Sequence, residues 1–401
     1  MPVYWIWFAT LKGISLFRKL QLLETFRDPE ELWRAEQKSL PEDVAEALKE
    51  KDLSQALEVY RQCTLQSIGV VGYGDPEYPR RLRNTEDPPI VLYYKGKLPD
   101  WQAQPVIAVV GTRKASTYGV QTTGLLASQI AACGGLVVSG AATGVDRRAM
   151  EAALAQEKPV VGVLGGGVDV VYPAANRELY RQTEEKGCLI SEYPPGSRPF
   201  PGNFLRRNRI ISGLSDGVLI VEAPARSGAL NTAEHAFTQG RDVFAVPGNL
   251  GVESCAGSNR LLQEGAYPVL QGWDVMKQYA PLYPGVVENR RMPLEQTEQS
   301  LLPKVAESAL APENRRQKRN STSQIPIDNR EESTYSVINK RPAGLSDQEQ
   351  AVFDLVGTTP ELPDSIMDRA DLPFGTVQSV LTRLAIKGLV QNHPDGRVSR
   401  K

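Results

Sequence analysis

Between residues 105 and 270, short apolar runs recur at VIAVV (106–110), LVVS (136–139), VVGVL (160–164), CLIS (188–191), GVLIV (217–221) and VFAV (243–246). Each closes on a turn rich in Gly, Ser or Pro and then leads into a helical stretch. Runs that are apolar at consecutive positions bury both faces, and intervening helices imply parallel crossovers. The pattern predicts an α/β domain with a Rossmann-like, doubly wound, mostly parallel sheet.

The chain changes character on either side. Residues 1–65 read as an N-terminal helical domain. Ile14, Phe17, Leu20, Leu23 and Phe26 recur near helical spacing, and Asp28 with Pro29 opens "DPEELWRA". Ser39 and Pro41 repeat that start at "SLPEDVAEALKE". The turn Leu11-Lys12-Gly13-Ile14 faintly resembles helix-hairpin-helix and sterile-alpha-motif-like modules, and reads equally as plain helix packing. Residues 66–280 form the extended Rossmann-like domain. From 281 to 344 a flexible linker is expected, because no aromatic residue stands between Tyr283 and Tyr335 and "ENRRQKRNSTSQ" is polar. Residues 345–401 read as three helices, the first capped by Ser346, then a hairpin around Pro394-Asp395-Gly396. That is a winged-helix pattern, also compatible with a three-helix module that makes no DNA contact.

Charge narrows the function classes. The 401 residues carry 46 Lys and Arg against 47 Asp and Glu, a formal net charge of −1. This excludes a generally basic nucleic-acid binder. The distribution is uneven, however. No acidic residue occurs from Trp101 to Val145 or from Tyr193 to Ser215, where Arg113, Lys114, Arg198, Arg206, Arg207 and Arg209 lie. A binder confined to a local groove fits that pattern. Dispersed Cys63, Cys133, Cys188 and Cys255, with His235 and His393 as the only histidines, exclude a disulfide framework and the common zinc motifs. No metal or other cofactor is therefore expected. No apolar run approaches the roughly 18 residues of a membrane helix. The start, "MPVYWIWFATLKG", lacks the basic region and cleavage site of a secretion signal, so it reads as buried helix in a cytoplasmic protein.

Ligands of open α/β sheets sit outside the carboxyl ends of the strands. After the first run, Gly111 permits close backbone approach, while Thr112, Arg113, Lys114 and Ser116 offer donors to an anion. After the second come Ser139, Gly140 and Asp146, the last read as a cap for a helix beginning at Arg147. The triple glycine 165–167 follows the third, with Asn176 read as a cap. No Walker or dinucleotide-binding glycine motif occurs. The segment 199–209 sets Phe200 and Phe204 beside Arg206, Arg207 and Arg209. Phosphate clamping with aromatic stacking suits a single strand, and a solvated basic helix with Phe200 in the core explains the composition equally. Arg206 and Arg209 share one helix face and Arg207 points elsewhere. Ser227 and Gly228 at a helix start form an anion nest, and Glu222 and Glu234 are acid/base candidates without an activated partner.

Taken together and in order, "VVGTRKAS", "VVSGAATGVD", "GGGVDVVYPAANREL", "LISEYPPGSRPFPGNFLRRNRIISGLSDGVLIVEA", "SGALNTAEHAFTQGRDVFAVPGN" and "GSNRLLQEGA" resemble the bacterial DNA-processing protein A (DprA/Smf) family across roughly residues 70–270. The resemblance implies a homodimer that binds single-stranded DNA, protects incoming DNA in natural transformation and loads the RecA recombinase, with no catalytic residue. It implies DNA contacts at Arg113, Arg207 and Arg209, with Phe204 as a stacking residue. Thr143 and Val145 are conservative departures from the family pattern, and Ser399 departs from it in the wing. Two other classes remain. "SGALNTAEH" resembles the Thr-x-Glu loop of LOG-type nucleotide phosphoribohydrolases, through Thr232 and Glu234. The winged helix fits a transcriptional regulator, although its recognition helix offers only Arg383 and Lys387 as cations, after Asp364, Asp368 and Asp371.

Overall fold

A computed structural model describes residues 1–289 and, with interruptions, residues 347–400. These fall in two units. The first opens with helices α1 (Pro2–Thr10), α2 (Leu16–Thr25), α3 (Pro29–Arg34), α4 (Glu42–Ala47) and α5 (Ser54–Leu65). Strand β1 (Gly69–Gly72), helix α6 (Arg80–Arg83) and strand β2 (Val91–Gly96) follow. The alternating part runs β3 (Val106–Val110), α7 (Thr117–Ala132), β4 (Leu136–Ser139), α8 (Val145–Ala155), β5 (Val160–Val163), α9 (Arg177–Lys186), β6 (Cys188–Ser191), α10 (Pro201–Leu214), β7 (Gly217–Ile220), α11 (Gly228–Thr238), β8 (Asp242–Ala245), α12 (Ala256–Gln263), β9 (Tyr267–Pro268) and α13 (Gly272–Met276).

One sheet has the order β1-β2-β6-β5-β4-β3-β7-β8-β9. Every pair from β6 to β9 is parallel, and β1 and β2 extend the sheet in antiparallel fashion. All six apolar runs are strands of its parallel part. Their residues are buried on both faces, as Val106, Ile107, Ala108 and Val109 show. Strand order reverses between β3 and β7, which is the switch point where such sheets open a crevice. Strands β1, β2 and β9 were not read from the sequence. Half-polar or very short strands lack the apolar run that marks the others.

Helix α1 confirms a buried start: Trp5, Ile6, Trp7 and Phe8 are all buried. Trp5 packs where Gly72 leaves room, since a Cβ there would lie 2.2 Å from its ring. The helices and the sheet thus share one hydrophobic cluster, from Trp5 and Phe8 to Val109 and Leu126. Each fully buried side chain of that size contributes about 1.5–3 kcal/mol. Asp28 caps α3 as expected, accepting from the backbone N–H groups of Glu30 and Glu31 at 2.9 Å. Two other expectations fail. Ser39 lies in a 3₁₀ turn, and α4 starts after Pro41 without a side-chain cap. Phe17 is 71% exposed, and Lys19 occupies the buried face of α2 instead.

Residues 281–289 pack back on the first unit: Val287 joins its cluster, and the Glu288 N–H donates to the Cys133 carbonyl. The remainder of the expected linker, and Ser346, lie outside the described residues. In the second unit, α14 (Asp347–Leu355) and the antiparallel hairpin β10 (Val390–Asn392) and β11 (Val398–Arg400) are described. Most of the two helices expected between them lies outside the described residues. Ser399 sits in β11, 2.9 Å from His393 Nε2.

Candidate nucleic-acid interface

The loops after β3 and β7 meet at the switch point. The Thr112 N–H donates to the Glu222 carbonyl at 2.7 Å. Gly111 is required by close approach, because a Cβ there would lie 2.8 Å from the same oxygen. The Glu222 side chain is fully buried and accepts from the Ser116 N–H at 2.9 Å. It tethers the start of α7 and is not an exposed acid or base.

A cavity of about 280 Å³ opens there, bordered by Thr112, Arg113, Asp146, Arg207, Asn208 and Ser227 among others. Its wall includes the N-terminus of α11, where Ser227 caps by accepting from the Ala229 N–H at 3.2 Å. Free N–H groups and the helix dipole favour an anion at such an end. Arg207 is 3% exposed. Its Nη1 donates to the Val163 carbonyl at 2.8 Å, and its Nε has no hydrogen-bond partner among the described residues. Gly140 makes room for it, since a Cβ would stand 1.9 Å from Arg207 Nη1. Beside it, burial pushes the Asp146 carboxyl up from the usual range, opposed by Arg207, the Ala142 amide and Arg113. Arg207 stays charged, so its desolvated guanidinium is the main charge that favours the Asp146 carboxylate. Asp146 does not cap the next helix as expected. Helix α8 begins at Val145 after Gly144, whose φ of +77° suits glycine.

A smaller cavity, about 100 Å³, adjoins the first and shares Arg113, Ala142 and Phe204 with it. The Arg113 guanidinium lies 4.8 Å from the Phe204 ring centroid. The ring of Tyr172, itself 46% exposed, lies 5.5 Å from Phe204 on a 31° tilt. The triple glycine seats this aromatic pair: a Cβ on Gly165 would come within 2.9 Å of Phe204. Asn176 is buried and orients the neighbouring loop, donating to the Ala141 carbonyl at 2.8 Å; it does not cap α9 through its side chain.

The expected site residues therefore divide. Gly111, Thr112, Arg113, Gly140, Phe204, Arg207, Ser227 and Gly228 border one or both cavities. Lys114 is exposed and borders neither. Ser139 is fully buried, with its hydroxyl spent on the Val109 carbonyl at 2.7 Å. Arg206 and Arg209 face away together, toward Glu192 at 3.6 and 2.6 Å. Arg209 is thus held within an ion network outside the crevice, with Asp87 2.8 Å from its Nε. Phe200 is 65% exposed rather than in the core. Sequence reasoning missed Tyr172, Asn208 and Arg226 as lining residues, and named Thr232 only through the phosphoribohydrolase-like loop. The Arg-rich run already contained Asn208, which donates to the Gly228 carbonyl at 3.0 Å. Nothing local marks Tyr172, because its partner Phe204 is remote in sequence.

Comparison with known proteins gives a consistent picture. Residues 69–280 match the family model of DNA recombination-mediator protein A, and residues 339–396 match the DprA winged helix domain. Protein Smf of Synechocystis sp. is 31% identical over 99% of this chain and 98% of its own length. DNA processing protein DprA of Bacillus subtilis is 37% identical over 56% of this chain and 75% of its own length. The X-ray structure of DNA processing protein A from Streptococcus pneumoniae superposes with a TM-score of 0.60 at 32% identity. It covers 69% of this chain and 98% of that one.

Proposed function

The chain belongs to the DNA-processing protein A (DprA/Smf) family of DNA recombination mediators, and from that premise we propose that it binds single-stranded DNA, protects incoming strands in natural transformation and loads the RecA recombinase onto them in the cytoplasm. The observation that carries this reading is the donor-lined cavity at the switch point, joined through Arg113 and Phe204 to an aromatic slot. The α11 N-terminus, Arg113 and Arg207 suit a backbone phosphate. Phe204 and Tyr172 suit an unstacked base, which a duplex does not offer. Such binding tolerates sequence and weakens with salt. A homodimer belongs to this reading, and the exposed Tyr267 of edge strand β9 and the nearby Leu270 leave apolar surface for a second copy.

The protein acts in this reading by binding, not by catalysis. A phosphoribohydrolase would need Thr232 and Glu234 to converge. Thr232 borders the switch-point cavity, whereas Glu234 is exposed and borders a different groove, with Phe237 and Arg260. A duplex-reading regulator would need free cations on the winged helix. Lys387 instead holds both carboxylate oxygens of Glu349, at 2.9 and 2.8 Å, and Arg383 lies 3.5 Å from the same group.

The test is affinity for single- and double-stranded oligonucleotides at two salt concentrations. Strong preference for single strands with a negative salt slope is expected. Equal affinity for duplex would overturn the reading, and release of free base from AMP would favour the hydrolase.

A further inference from the structure

Helix α10 has a second charged face. Arg209 lies two residues beyond Arg207, about 200° around the helix. It opens not on the switch point but on a cavity of about 260 Å³ between α2 and α10. Lys19, Arg206 and Arg209 border this cavity, with Asp87 and Glu192. Three cations thus face two carboxylates.

The polar groups there are not balanced. Lys19 is 6% exposed, and its Nζ donates to the Ala9 carbonyl at 2.9 Å, at the end of α1. Its other close neighbour is the Phe8 ring, 5.9 Å away. The same helical region contains a lysine that serves purely as a helix terminator. Lys51 Nζ reaches the carbonyls of Leu32, Trp33 and Ala35 at 3.4, 2.7 and 2.7 Å, which uses all three protons. Capping accounts for Lys51, but it leaves Lys19 with protons to spare beside a cavity. Arg209 is 5% exposed and donates to Glu192 Oε2 through Nη2. Its Nε lies 2.8 Å from Asp87 Oδ2 in an ion pair, and its Nη1 has no hydrogen-bond partner among the described residues. Against the spare protons of Lys19 and Arg209 Nη1 stands Glu192 Oε1, which accepts no hydrogen bond among the described residues and lies 3.6 Å from Arg206 Nε. Buried charged donors without acceptors are costly. An acceptor-only group of small size and negative charge removes that cost.

We propose that this cavity binds a phosphate group, held by Lys19, Arg206 and Arg209. The site is separate from the switch-point crevice and does not depend on the single-strand reading. The two share α10, which carries Arg206 and Arg209 on one side and Phe204 and Arg207 on the other. The phosphate comes either from a phosphorylated small molecule or from the backbone of a strand that continues past Arg206. Desolvation pushes the Lys19 ammonium down to about 8, and an anion at the site would draw it back up.

The experiment is calorimetric titration of the full chain with inorganic phosphate, beside Lys19→Met, Arg206→Gln and Arg113→Ala variants. Saturable uptake at this cavity is expected. Loss of a charged donor should weaken it about tenfold or more in Lys19→Met and Arg206→Gln, and that uptake should persist in Arg113→Ala, which removes only phosphate held at the switch point. No saturable uptake by the wild type would overturn the proposal. So would uptake unchanged in Lys19→Met and Arg206→Gln, or lost only in Arg113→Ala. The same variants titrated with a dinucleotide and with longer single strands separate the sources. If Lys19→Met weakens phosphate and long strands but not the dinucleotide, the group is a backbone phosphate. If it weakens phosphate alone, the group belongs to a free ligand. Either result supports the site. Lys19→Met removes a desolvated charge and keeps its bulk, so a melting curve separates loss of binding from loss of fold.

Discussion

The Arg113 guanidinium stacks 4.8 Å from the centroid of the Phe204 ring, and this pair forms the wall between two adjoining cavities. One residue comes from the loop after β3 and the other from the first turn of α10. One contact therefore combines a phosphate-seeking fork with a base-sized aromatic face.

Arg113 is exposed, and its removal should leave the fold untouched. In Arg113→Ala, single-strand affinity should fall by about 1.5–3 kcal/mol, the worth of a charge-assisted hydrogen bond. Losing one phosphate contact should flatten the salt slope by about 0.7. Fluorescence anisotropy across a salt series measures both quantities. Unchanged affinity with an unchanged slope would remove Arg113 from the interface.

Phe204 acts through its face rather than through charge. Phe204→Leu should cost about 1–3 kcal/mol of single-strand affinity by loss of stacking. The salt slope should stay at the wild-type value, since no cation is lost. The contrast between this variant and Arg113→Ala separates stacking from phosphate contact. A slope that falls equally in both would mean that Phe204 works only by positioning Arg113.

Gly140 has no room for a side chain. A Cβ there would stand 1.9 Å from Arg207 Nη1, so Gly140→Ala must push a buried guanidinium off the Val163 carbonyl. The expected cost is about 1–3 kcal/mol of stability, as for other overpacked sites. Single-strand binding should weaken as well, because Arg207 no longer borders its cavity. Urea denaturation and anisotropy together test this, and wild-type stability would show that Arg207 moves freely.

Lys19 links the second cavity to pH. Burial holds its ammonium at about 8, below the ordinary 10.5. Between those values the unfolded chain keeps a proton that the folded chain has released, so Lys19 makes native stability rise with pH across that window. Below it, both states are charged and the folded state bears the full cost of burial. In phosphate-free buffer, Lys19→Met should therefore be more stable than wild type near neutral pH. That advantage should shrink as pH climbs from about 8 to 10.5. Urea midpoints at several pH values measure it. A constant difference would mean that the ammonium is well solvated.

The sheet and its crevice were legible because their signals are local. Each parallel strand announces itself by consecutive apolar residues closed by a small-residue turn, and chain order places those turns at one edge. Helical spacing even separated Arg207 from Arg206 and Arg209. It could not say which side faces the crevice, and the resemblance assigned Arg209 to the DNA. That choice depends on which elements pack against α10. Glu192, Asp87 and Lys19 lie on one side, and the β3 and β7 loops on the other. The pairing of Tyr172 with Phe204, and the burial of Lys19 where Phe17 was expected, are likewise long-range outcomes. The amino-acid sequence by itself determined the strand pattern, the glycine-lined loops and the acid-free stretches that hold the arginines. The tertiary structure alone decided which arginine meets which cavity, because a side chain's environment is made by neighbours distant in sequence, and no local periodicity encodes them.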